Sequence, residues 1–377
     1  MTRDVRDVEG RRGNGEIEGV HVRKTGWSKW LVLLFVFSIV AAACGDDGGE
    51  GDTTGPTAAT GETGSTEGGL IVGFIPTVTN TYIAEWARGA TEAAAELGYE
   101  LKLIENNFDQ AEQDTQVQQQ LGSGEEVAAY AWWPSDNAAG VASLTALSES
   151  GVPVIQTNQA PFAGTEELVI GYAGVDDTLN GEVAGELVVE ARDALAASGA
   201  ELHSEGGNAV IVGFVPGYQA GIDRSAAAIP IMEAAGITVL DQVDVGFDPT
   251  TGFEGMNELI AAHQADGIDL VYAHNSSLAE GVIQALEEAG YSPGEDVMVV
   301  GGTCHGNLEN LENGKEFATG LQAAYLEGVF SIRTLDEYLQ NGELAQYFNA
   351  IPNPPVHGDE IDTVTVEGFG VAELCVY

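Results

Sequence analysis

The chain runs to 377 residues, long enough for two domains with sizeable cores, and its 44% apolar content is that of a folded protein. Thirteen Lys and Arg stand against 59 Asp and Glu, a formal net charge of −46. Past Cys44 only six basic residues face 54 acidic ones, and such a surface repels phosphate backbones, which excludes nucleic-acid binding.

In chain order, the first feature is a cationic stretch with Arg23, Lys24 and Lys29, followed by an apolar run from Trp30 to Ala43. A positive segment, a short apolar segment and small residues describe a secretory signal peptide over residues 1–43. The run is too short for a comfortable transmembrane helix. Ala41-Ala42-Ala43-Cys44 resembles a bacterial lipobox, which implies lipidation of Cys44 and anchoring to the outer face of the cell membrane. Ala41 stands where a lipobox usually carries Leu, and the alternative is plain secretion with a cut nearby. Residues 44–69 are Gly, Thr, Glu, Asp and Ser with almost nothing apolar, so they read as an unstructured tether.

From Leu70 the pattern alternates. Leu70–Ile75 is an apolar run of the kind buried on both faces of a parallel sheet. Ile83, Trp86, Ala87, Ala90, Ala94 and Leu97 then recur at helical spacing, closed by Gly98. The cycle continues with strands over Tyr99–Ile104, Val127–Trp132 and Val152–Ile155. A second series holds strands over Ala209–Val215, Ile237–Leu240, Ile268–Ala273 and Val297–Gly301, with helices over Tyr218–Ala235, Thr251–Gln264 and Ser277–Ala289. Two such series, breaking near Val175, predict an α/β protein of two doubly wound lobes with parallel sheets.

In open α/β sheets the ligand site lies beyond the carboxyl ends of the strands. Those ends carry Thr77, Asn80 and Tyr82, then Trp132, Trp133, Ser135 and Asp136, then Asn158 and Gln159. The second series adds Tyr218, Asp223, Arg224, Asn275, Ser276 and Thr303. Amides and hydroxyls satisfy the hydroxyls of a neutral ligand, and aromatic faces stack on its C–H surface. Strand alternation lets only one of the two tryptophans face the site; Trp133 is the choice and Trp132 falls to the core. Asp176 reads as the cap of the helix from Thr178. Arg224, a rare cation, either grips ligand or pairs with Asp223. Neither a phosphate-binding glycine loop nor a hydrolase nucleophile motif occurs in the body, so no cofactor and no catalysis are expected.

Gly73–Ile83, Gly151–Ile155, Val175-Asp176-Asp177, Tyr272–Asn275, Val299–Gly302 and Phe317–Gln322, in this order and spacing, resemble the ribose/galactose-type periplasmic binding proteins, type I. The likeness covers roughly Leu70 to Leu344. It implies two lobes joined by three hinge crossings: residues 70–175 with 323–355, and 176–322 with 356–377. It also implies a monomer that closes on a sugar and delivers it to an ABC permease in the membrane. Position by position, Asn80 and Tyr82 match the first-loop polar and aromatic residues. Trp133 stands where a ribose-type protein has an amide, with Asp136 close behind. Asn158 and Gln159 replace an Asp-Arg pair, Phe247 matches an aromatic wall, Asn275 a ligand Asn and Gln322 the hinge Gln. Thr303 replaces an Asp, Ile222 falls where the second-lobe ligand arginine stands, and Arg224 matches its neighbour. These changes remove charge from the cleft and leave an unlike sugar, a polyol or another polar solute open. Amino-acid or nucleoside binding, and a sensor that docks on a membrane receptor, are the competing readings.

Cys304 and Cys375 remain. Export into an oxidising space favours a disulfide between them; the alternative groups Cys304, His305 and His274 as metal ligands, without any ligand spacing to support it, so no metal is expected.

Overall fold

The computed structural model describes residues 68–375. The expected signal peptide, the lipidated Cys44 and the tether up to residue 67 lie outside the described residues. Among those described, no helix is long and apolar enough to cross a membrane.

The first lobe starts with β1 (Leu70–Pro76), α1 (Thr81–Leu97), β2 (Glu100–Asn106), α2 (Gln110–Gly122) and β3 (Ala129–Trp132). It continues with α3 (Val141–Glu149), β4 (Val154–Gln156) and β5 (Gly171–Gly174). The second lobe repeats the cycle through α4 (Asp177–Ser198), β6 (Asn208–Gly213), α5 (Gln219–Ala234), β7 (Thr238–Asp244) and α6 (Pro249–His263). Then come β8 (Leu270–Ala273), α7 (Ser276–Ala289), β9 (Met298–Gly301), α8 (Leu308–Glu312) and β10 (Glu316–Gly320). The chain returns to the first lobe as α9 (Ala324–Asn341) and β11 (Phe348–Ala350), and to the second as β12 (Pro355–His357).

The two sheets have the orders β11-β5-β4-β3-β1-β2 and β12-β10-β9-β8-β6-β7. Within these two sheets every ladder is parallel except β10 with β12. The chain thus crosses between sheets after β5, after β10 and after β11. The crossings are tied to the sheets and to one another: Leu321 N donates to Pro354 O at 2.8 Å and Ile351 N to Gly174 O at 2.9 Å.

Strands β1, β6, β8 and β9 are buried nearly end to end, which is why they read as unbroken apolar runs. Helix α1 is started by the Asn80 side chain, which accepts from Ile83 N, and ended by Gly98 at φ 82°. It packs on α9 at backbone distance: a Cβ on Gly89 would lie 2.0 Å from Tyr325 O, and one on Gly328 would lie 2.1 Å from Trp86 O. Any side chain there would push the helices apart.

The tail after β12 departs from the expected boundary. Ile361, Val366, Val371 and Leu374 share a cluster with Ile332 and Leu335 of α9, and Phe369 meets the Tyr325 ring at 5.3 Å. It therefore rests on the first lobe as well as the second. Its end is held by the Cys304–Cys375 disulfide, with Cα atoms 5.3 Å apart. The disulfide removes the thiolate that a Cys304–His305–His274 metal set requires.

Candidate functional site

The carboxyl ends of the two sheets face each other across a cavity of about 410 Å³. Asn80, Tyr82, Trp133, Asn158, Arg224, Phe247, Asn275, Thr303 and Gln322 all line it. The doubly wound topology brings them together: each sits in a βα loop, near the start of the helix that follows, or at a hinge crossing, although they span more than two hundred residues of sequence.

Aromatic rings build the walls. Trp133 sets its edge against Tyr82 at 6.1 Å and Trp86 at 5.9 Å, while Trp132 turns into the core beside Phe74. On the other side Phe214, Tyr218 and Phe247 form a cluster with centroids 5.0–5.8 Å apart. Contacts between the lobes include Phe108 stacked on Phe247 at 5.6 Å, the Tyr82 ring against His305 at 5.0 Å, and Tyr218 Oη donating to Asn158 Oδ1 at 3.3 Å.

The polar groups differ in what they leave free. Asn80 caps α1, and Asn275 caps α7 through Leu278 N while donating to Phe247 O at 3.1 Å, so both amides are partly spent on structure. Gln322 donates to Tyr82 Oη at 2.7 Å and accepts from Arg224 Nη2 at 2.6 Å. The Trp133 indole N–H lies buried near the Tyr218 hydroxyl without a hydrogen bond of ordinary geometry. A buried donor left wholly without an acceptor costs roughly 1–3 kcal/mol, and a well-placed ligand oxygen would remove whatever part of that the Tyr218 hydroxyl leaves.

Arg224 lines the cavity but its pairing corrects the expectation. Its partner is Asp177 at 2.8 Å, not Asp223, whose carboxylate accepts from Gln219. The guanidinium also donates to His274 O at 2.6 Å and lies over the Phe214 ring. Burial pushes the Asp177 carboxyl up to about 6, held back by the guanidinium beside it. Burial likewise pushes His274 down to about 3, so this ring is neutral. Asp176 caps α4 through Leu179 N, as expected.

Two expected residues fall elsewhere. Asp136 and Gln159 line a second cavity of about 440 Å³ on the far side of Phe108 and Tyr218. The Asp136 carboxylate is turned to cap Ala139 N at 2.8 Å, and the Gln159 amide donates to Pro134 O at 2.8 Å. Both point along the loop rather than toward Trp133. Conversely, Phe108, Thr79, Phe214 and Asp248 line the first cavity without having been singled out, and His305, weighed only as a metal ligand, lines it too. Phe108 and Phe214 follow β2 and β6 directly, so the strand-end rule would have found them. Glu327, which accepts from Tyr82 behind the cavity, carries no local signal of that role.

Comparisons with known proteins agree with this architecture. The ribose import binding protein RbsB of Escherichia coli (strain K12) is 27% identical over 274 residues, 72% of this chain and 85% of that protein. A solved ABC transporter solute binding protein from Bacillus halodurans with bound myo-inositol superposes with a TM-score of 0.66 at 25% identity, covering 79% of this chain and 97% of that one. A periplasmic ribose ABC transporter structure from Conexibacter woesei gives 0.67 at 21% identity, covering 80% and 96%. Residues 71–344 match the periplasmic binding protein domain, and the chain belongs to that family.

Proposed function

We propose that this protein is the substrate-binding lipoprotein of an ABC importer, held to the outer face of the cell membrane by Cys44, and that it captures a monosaccharide or related polyol. The observation that carries the reading is a cavity walled by aromatic rings and amides, in which the buried Trp133 N–H makes no hydrogen bond of ordinary geometry. Such walls suit the C–H faces and hydroxyls of a sugar. The relatives named above import ribose or hold myo-inositol, which supports the same class. Arg224 is committed to Asp177, so an α-amino acid would find no free cation for its carboxylate among the described lining residues. The protein binds and releases its solute without turning it over. Closure of the lobes favours the filled state because contacts from both lobes form only together, and the permease then reads the closed pair.

A thermal-shift screen against monosaccharides, polyols, nucleosides and amino acids tests this. A ligand at a hundredfold excess over Kd stabilises by about 2.7 kcal/mol, a clear melting shift. A shift with a sugar or polyol supports the reading; a shift with amino acids or nucleosides alone overturns it.

A further inference from the structure

The second cavity is as large as the first and shares Phe108 and Tyr218 with it as common wall. Both lobes build it: Asp109, Asp136, Gln159 and Phe162 from the first, Val215 and Gln219 from the second. Three features set it apart from an incidental groove. Of the seven large apolar side chains exposed among the described residues, three (Phe108, Phe162 and Val215) gather on its walls. Gln159, only 1% exposed, carries a buried Oε1 with no hydrogen-bond partner. Two carboxylates line the cavity and no Lys, Arg or His does, so it offers acceptors and no cation. Apolar faces beside acceptors suit a ring bearing hydroxyl or ammonium donors, and the two carboxylates, which cap backbone N–H groups but face no cation in this cavity, repel an acid.

We propose that this cavity is a second subsite of the same cleft, which extends its ligands from a single sugar unit against Trp133 to a neutral or amino-substituted disaccharide whose other unit lies between Phe162 and Val215. The inference rests on the sugar reading of the first cavity. Phe108 and Tyr218 then flank the glycosidic link, and the lobe-joining contacts they make close over the middle of the ligand.

Titration calorimetry on the purified protein with matched pairs tests it: glucose and cellobiose, galactose and melibiose, glucosamine and chitobiose, galacturonate and digalacturonate. One neutral or amino disaccharide should bind about tenfold or more tightly than its own monosaccharide, a difference of about 1.4 kcal/mol, and digalacturonate should show no such gain. Ala138, exposed on a turn of this wall, allows a filling substitution outside the core. Ala138→Trp should erase the disaccharide's advantage and leave the monosaccharide within about twofold. Monosaccharides that bind as tightly as every disaccharide, or an Ala138→Trp variant that keeps the gain, overturn the subsite alone. A protein that binds no sugar of the panel overturns the sugar reading, and the subsite with it.

Discussion

Tyr82 donates its hydroxyl to Glu327 Oε2 at 2.8 Å, while Asn158 Nδ2 and Thr157 Oγ1 approach the same carboxyl at 3.4 and 3.3 Å. Glu327 is fully buried in α9 directly behind the cavity, with no cation among these partners. Burial therefore pushes its carboxyl up to about 8. The folded protein holds the proton that the unfolded chain gives up near 4.5, so this group's stabilising contribution is complete in acid and is lost as pH rises toward 8. Urea unfolding at pH 5.5 and 8.0 should show the native protein losing stability, and Glu327→Gln should recover up to about 3 kcal/mol of that loss. Equal pH slopes in the two proteins would sink the assignment. Glu316, also pushed to about 8 by burial, accepts from Ser276 and keeps part of the slope in the variant.

The Arg224–Asp177 pair is buried on both sides, at 3% and 6% side-chain exposure. Removing one member of such a pair leaves the other charged and desolvated, at a cost of about 3–5 kcal/mol. Asp177→Ala should lower stability by that amount in urea titrations. It should also weaken ligand binding, because Arg224 Nη2 orients Gln322 on the cavity wall. An exposed pair would cost under about 1 kcal/mol, and a loss that small would contradict the buried geometry.

How far the sequence carried can be judged from particular elements. Strands β1, β6, β8 and β9 were legible because burial on both faces leaves only apolar residues. Helix α2 was not, since Gln113, Val117 and Gln120 are its only buried residues and two of those are amides. Strand β5, Gly-Tyr-Ala-Gly, carries no strand signature, and Gly174 leaves room for Tyr172 Oη and Glu327. The strand-end rule brought nine of the expected side chains to one cavity. It misplaced Asp136 and Gln159, because a loop position says which end of the sheet a residue occupies and nothing of its χ angles. The partner of Arg224 lies 47 residues away, so adjacency suggested Asp223 and topology decided for Asp177.

Trp133→Phe keeps an aromatic face on the wall and removes the indole N–H together with the pyrrole half of the ring. With a sugar oxygen as its acceptor, the hydrogen bond contributes about 1 kcal/mol, so affinity should fall about fivefold. Stability without ligand should fall by about 1–3 kcal/mol, since the smaller ring leaves a void against Tyr82 and Trp86, so affinity is compared at a temperature where both proteins are fully folded. Unchanged affinity would remove Trp133 from the polar contacts and leave it a wall.

The Cys304–Cys375 bridge spans a sequence separation of 71. Loop closure of that length in the unfolded chain is worth about 4 kcal/mol. Cys375→Ser, or reduction with dithiothreitol, should lower the melting temperature to match. Because Thr303 and His305 flank Cys304 on the cavity wall, ligand affinity measured alongside should fall too. An unchanged melting temperature under full reduction would mean that the tail's apolar contacts with α9 suffice.

Phe108 separates closure from folding. Its φ is 57°, its side chain is 38% exposed, and its ring stacks on Phe247 across the lobes at 5.6 Å. Offset aromatic pairs contribute about 0.5–1.5 kcal/mol beyond area. Because this pair spans the two lobes, its loss subtracts from the closed form and leaves each lobe's core untouched. Phe108→Ala should thus weaken ligand binding about fivefold, mostly through faster release, with little change in the melting temperature without ligand. Phe247→Ala should weaken binding as well. If the stack is the shared cause, the double variant should fall short of the sum of the two, with a coupling near 1 kcal/mol. Strict additivity would mean that each ring touches the ligand independently and that the stack does not hold the lobes together.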